Sequence, residues 1–122
     1  MKLAIVILIA LVAFSFNGCT GHHKADEFNI TLLEQEANEV LRNNVESNMS
    51  DVEVLPNYIK SLNPISVYIT NVGIYIKLEQ SFVEESGVFI PKEGIQVTEG
   101  LGYDPNYIKI GGSSVYSYHI KG

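Results

Sequence analysis

The sequence predicts an α+β domain in which one main N-terminal helix packs on a four- to five-stranded, mostly antiparallel sheet. Three observations carry this. Apolar residues recur at helical spacing between Thr31 and Val45. Two alternating runs, Ser66–Thr70 and Ile74–Glu79, flank Asn71-Val72-Gly73, and a second pair, Tyr107–Ile110 and Val115–Ile120, flanks Gly111-Gly112-Ser113-Ser114.

The first eighteen residues stand apart from that domain. Lys2 precedes an unbroken apolar run from Leu3 to Phe14, the size of a signal-peptide core and short of the roughly 20 residues a membrane-spanning helix needs. Phe16-Asn17-Gly18-Cys19 follows and resembles the lipobox of bacterial lipoproteins. Gly18 and Cys19 fit that pattern; Phe16 stands where leucine is commonest, and Asn17 where a small residue or serine is usual.

The resemblance implies cleavage before Cys19, with palmitate-type acyl chains on its sulfur and on the new amino terminus. It also implies an envelope location, and Thr20 in place of aspartate implies the outer membrane, facing the periplasm. Two alternatives are an ordinary signal-peptidase cut after Ala13-Phe14-Ser15 and an uncleaved anchor. The cysteine count favours lipidation: Cys19 is the single cysteine, and an exported thiol with no intramolecular partner needs a use. Two or three acyl chains give a stable membrane anchor where one is marginal.

The expected organisation is a signal peptide over 1–18, a lipidated cysteine and tether over 19–28, and a single α+β domain over 29–122. Loss of Lys2 with the signal takes the formal charge from −6 to −7. That acidity argues against nucleic acid and against a basic lipid-binding patch. It points to a basic or neutral protein partner, with membrane contact through the lipid on Cys19. With no cysteine pair, about a hundred residues must fold on packing alone.

Thr20 to Glu27 is polar and aperiodic and reads as a solvated tether. His22 and His23 are adjacent but lack the further ligands and fixed geometry of a metal site; no metal or cofactor is expected. Thr31-Leu32-Leu33-Glu34 matches a capping box. Leu33, Ala37, Val40, Leu41 and Asn44 share one helical face, with Glu34, Gln35, Asn38, Glu39 and Arg42 facing out. Asn43 to Asp51 is turn-rich, and a short second helix is expected from Pro56 through Leu62. The sequons at Asn29 and Asn48 are glycan acceptors if the source is eukaryotic and coincidental in a bacterial lipoprotein, the reading favoured here.

Parity predicts a two- or four-residue loop between the first two strands. Val67, Ile69, Ile74, Ile76 and Leu78 then face the helix, and Tyr68, Thr70, Tyr75, Lys77 and Glu79 share the other face. Val88-Phe89-Ile90 reads as a strand stopped by Pro91, and Ile95–Thr98 as a further short strand. In the last hairpin a four-residue loop puts Tyr107, Lys109, Tyr116 and Tyr118 on one face.

No catalytic constellation emerges. Glu84 and Glu85 are adjacent, so on an extended chain they point to opposite faces. His119 has Ser117 on its own strand face, but neighbours two apart on a strand are about 6 to 7 Å apart and no orienting acid is close in sequence. The most distinctive feature is seven tyrosines with no tryptophan. Tyr68, Tyr75, Tyr107, Tyr116 and Tyr118 form a candidate binding surface, since tyrosine joins apolar area to a polar tip; the plainer account is that tyrosine suits half-buried strands.

The segment LPNYIKSLNPISVYITNVGIYIKLEQSFVEESGVFIP and the ending YSYHIKG resemble a class of small uncharacterised bacterial proteins, which implies one compact domain and no particular activity. The leading expectation is therefore a non-enzymatic envelope lipoprotein with a protein-binding domain. The alternatives are an immunity or inhibitor protein that neutralises a basic toxin or hydrolase, and a small envelope hydrolase using Glu84 or His119.

Overall fold

A computed structural model describes residues 21–44 and 50–122. The expected signal segment, Cys19, Thr20, Val45, Glu46 and Asn48 lie outside the described residues. A 3₁₀ turn at Ala25–Glu27 leads into helix α1 (Ile30–Asn43), which precedes strand β1 (Ser50–Asp51) and the short helix α2 (Asn57–Ser61). Strands β2 (Ser66–Ile69), β3 (Gly73–Ser81), β4 (Glu84–Pro91), β5 (Asn106–Gly111) and β6 (Val115–Ile120) follow. All pairings are antiparallel, in the order β1-β2-β3-β4-β6-β5. Among the described residues no helix is long and apolar enough to cross a membrane.

Helix α1 buries Leu33, Ala37, Val40 and Leu41, the expected stripe. Its cap differs from the expected capping box at Thr31. Asn29 is the N-cap, its Oδ1 accepting from the Leu32 backbone N–H at 3.2 Å, because that amide three residues on is the free donor an Asn cap reaches best. Glu34 is thereby released from the cap and is not merely a solvated outer residue. It accepts from the backbone N–H groups of Ser113 and Ser114 and from the Ser113 hydroxyl, pinning the β5–β6 turn to the helix. Gly112 permits this twice over: its φ of 61° is left-handed, and a Cβ there would fall 2.1 Å from Glu34 Oε2. Glu36 ties α1 to α2 in the same way, accepting from the amides of Tyr58 and Ile59.

The expected faces hold as far as Lys77. Ile69 pairs with Ile74 across a four-residue connection, so Val67, Ile69, Ile74, Ile76, Val88, Ile90 and Val115 form the core beneath α1, with Leu78 packed against it. Tyr75, Phe89 and Tyr118 form a second cluster on the opposite face.

Two elements differ from expectation. Lys77 pairs with Gly87 and Glu79 with Ser86, leaving Leu78 as a bulge residue; one extra residue inverts the parity beyond it, so Glu79 lies on the helix-bearing face. A Cβ on Gly87 would lie 1.9 Å from the Ile76 carbonyl oxygen, so the bulge closes only over glycine. Ile95–Thr98 forms no strand. Its apolar Val97 packs over the sheet against the second cluster, so the segment crosses the aromatic face as a loop and does not extend an edge of the sheet.

Candidate functional site

The sheet carries two polar assemblies, one on each face. On the face away from α1, cross-strand neighbours bring together all five tyrosines of the expected surface: Tyr68 opposes Tyr75, and Tyr107 opposes Tyr118. Tyr75 stacks on Tyr68 with centroids 5.0 Å apart, meets Tyr118 edge-on at 4.9 Å, and lies 4.6 Å from Phe89. Tyr107 meets Phe89 at 4.9 Å and Tyr116 edge-on at 6.4 Å. Such pairs each add about 0.5 to 1.5 kcal/mol beyond the area they bury.

The hydroxyls are largely satisfied within the cluster. Tyr68 and Tyr118 both donate to Glu85 Oε2, at 2.6 and 2.8 Å, and the Tyr75 and Tyr107 hydroxyls bond each other at 2.6 Å. Burial holds all four phenols above their ordinary pKa. The Glu85 carboxylate reinforces this at Tyr68, the neighbouring Tyr68 and then Glu85 reinforce it at Tyr118, and Tyr107 reinforces it at Tyr75. At Tyr107 the bond from Tyr75 offsets part of the rise.

Tyr75 and Tyr118 are buried and serve as a floor, leaving Tyr68, Tyr107 and Tyr116 half-buried at the surface. Beside them a groove of about 360 Å³, lined by Val72, Phe89, Val97, Tyr103, Asp104 and Tyr107 among others, runs between the sheet and the 95–105 loop. Leu101 and Tyr103 in that loop are exposed.

The second assembly lies on the helix-bearing face, where β5 begins and β6 ends. His22 inserts its ring between Ser117 and Asn106. Its Nδ1 is 2.8 Å from Ser117 Oγ, its Nε2 bonds Asn106 Oδ1, and the His23 backbone N–H donates to Ser117 Oγ at 2.8 Å. The tautomer with hydrogen on Nε2 satisfies every one of these groups, with the serine hydroxyl donating to Nδ1 and accepting from the amide. His23 packs on Phe28, with Nδ1 3.2 Å from Glu27 Oε2 and Nε2 3.1 Å from Glu79 Oε1. The parity inversion at Leu78 is what presents Glu79 there.

His22 and His23 are therefore docked on the sheet, in contrast to the expected solvated tether. A polar segment without periodicity gives no sign of this, because its partners lie 84 and 95 residues away. Asn106, at the end of a loop-like run, is equally silent in sequence.

His119 and Ser117 share a strand face, as expected, but Ser117 bonds His22. His119 Nε2 lies 3.6 Å from Glu84 Oε2, and its strand neighbours are Ser86 and Asn106. Glu84 and Glu85 point to opposite faces, one toward His119 and the other under the tyrosines. Ser117 is fully buried, so its hydroxyl holds chain in place and is not presented to a substrate. Among the described residues no group of three or more His, Cys, Asp or Glu side chains is arranged to hold a metal ion.

No family model matches the chain, and neither a curated protein nor a solved structure matches it.

Proposed function

We propose that the protein is a non-enzymatic lipoprotein of the bacterial envelope, anchored through acyl chains on Cys19, whose domain binds a protein partner through the tyrosine face. The observation that carries the binding half is the aromatic groove beside Tyr107, with exposed Leu101 and Tyr103 in the adjoining loop. Buried Phe89 lines it beside Tyr107, and rigid aromatic surface binds at low entropic cost. The net charge of the chain from Cys19 onward selects a basic or neutral partner.

The anchor is tested by metabolic labelling with a palmitate analogue. The label enters the wild type and is lost with Cys19→Ser, which also leaves the membrane fraction; an unlabelled wild type, or a Cys19→Ser variant that stays in the membrane, overturns the anchor. For the binding half, a photo-crosslinking residue at position 116 gives one discrete adduct in cells, whereas the same residue at Gln35, on the helix, gives none. Equal crosslinking at both positions, or none at either, removes the tyrosine face as the binding site.

A further inference from the structure

We propose that the β3–β4 turn, Phe82–Val83, rests in the interfacial layer of the membrane that holds the Cys19 anchor, so that lipid and turn together fix the orientation of the domain. The inference rests on the anchor proposed above.

The turn is short and apolar at its tip. Ser81 pairs with Glu84, leaving only Phe82 and Val83 to reverse the chain, and they are 96% and 71% exposed. Phe82 has a φ of 53°, a left-handed conformation that glycine or asparagine adopts cheaply and a bulky residue does not. Turn chemistry thus gives no reason for phenylalanine at this position, and neither does the core.

Position supplies the reason. Strands β3 and β4 meet in this turn at the same end of the sheet where β5 begins and β6 ends, which is where His22 is held by Ser117 and Asn106. His23 contacts Glu79, three residues before Phe82 on β3. Cys19 precedes His22 by three residues, and three residues reach at most about 11 Å. The docked histidines therefore remove most of the tether. An acylated Cys19 holds the domain against the bilayer by the sheet end that carries Phe82.

Aromatic and aliphatic side chains at such a point enter the boundary between headgroups and acyl chains. The acyl chains supply the attachment; the turn stands the strands on end and directs the tyrosine face sideways along the membrane surface, where a partner in the same envelope meets it.

The test uses the acylated protein in phosphatidylcholine vesicles. The chain has no tryptophan, so Phe82→Trp introduces a single reporter, and Asn71→Trp, in the exposed β2–β3 turn at the opposite end of the sheet, is the control. On vesicle binding the reporter at position 82 shifts its emission to the blue, loses intensity to acyl-brominated lipid and is protected from iodide; the reporter at position 71 does none of these. A vesicle-bound, acylated protein whose reporter at position 82 stays open to iodide overturns the proposal and leaves the anchor intact. Equal quenching at both positions overturns it as well, because the orientation is then not fixed. A chain whose mass shows no acyl group, and which does not bind vesicles, overturns the anchor and this inference together.

Discussion

Ser86 and Ser117 lie on the same sheet face, two residues out of register across β4 and β6, and both are fully buried. The same substitution at the two sites is expected to change stability in opposite directions. Ser117 Oγ accepts from the His23 amide and bonds His22 Nδ1. Alanine there removes two hydrogen bonds worth about 1 kcal/mol each and leaves two groups short of partners, for a cost of about 2 to 3 kcal/mol. The upper bound is set by release of Gly21–Lys24 from the sheet, after which water satisfies the histidines. Ser86 Oγ has no hydrogen-bond partner among the described residues, so its desolvation is uncompensated and Ser86→Ala gains about 1 kcal/mol. For a domain of this size 1 kcal/mol moves the melting temperature by about 4 to 8 °C, so the two variants separate by well over 10 °C on opposite sides of the wild type. Thermal and urea unfolding measure this, and hydrogen exchange at the His23 amide should accelerate in Ser117→Ala alone. If Ser117→Ala stays within 0.5 kcal/mol of wild type, or Ser86→Ala is the more destabilised of the two, the account of the docked histidines is wrong.

Other expectations follow from the same contacts. The phenols of Tyr68, Tyr75, Tyr107 and Tyr118 are raised in the fold above the value of about 10 they have when unfolded. Their contribution to stability is therefore complete below about pH 10 and is lost as pH climbs through the folded values; ultraviolet titration should show their ionisation delayed and coincident with loss of the sheet. Asn29→Ala should cost about 1 kcal/mol and Thr31→Ala less than about 0.5 kcal/mol, because the asparagine is the cap; the reverse order in urea unfolding restores the capping box at Thr31. Glu34→Ala should cost about 1.5 kcal/mol through the loosened β5–β6 turn, the low end for bonds to a charged group because the site is open to solvent, with faster amide exchange at Ser113 and Ser114. Gly87→Ala should cost about 3 kcal/mol or more, since its Cβ meets backbone that side-chain motion cannot clear, and an alanine variant of wild-type stability would refute the bulge.

The tyrosine face shows how far local pattern reaches. Strand side chains alternate with period two, so an even connection between Ile69 and Ile74 is enough to put Tyr68 and Tyr75 together and the aliphatic residues opposite. Which hydroxyl meets which partner is not local. Glu85 collects Tyr68 and Tyr118 from two other strands, and nothing in its own neighbourhood distinguishes it from Glu84. Glu34 was legible as a helix residue, but its use on Ser113 depends on where a hairpin 79 residues later comes to rest.

The sequence by itself determined the α+β class, the buried stripe of α1 and the faces of both hairpins short of Leu78, because each follows from a repeat of two to four residues read against burial. The tertiary structure alone decided the bulge at Leu78, the turn of Glu79 toward His23, and the seating of His22 on Ser117 and Asn106. Those features arise where separate strands and the preceding chain meet, and a contact between such distant residues leaves no periodic trace along the sequence.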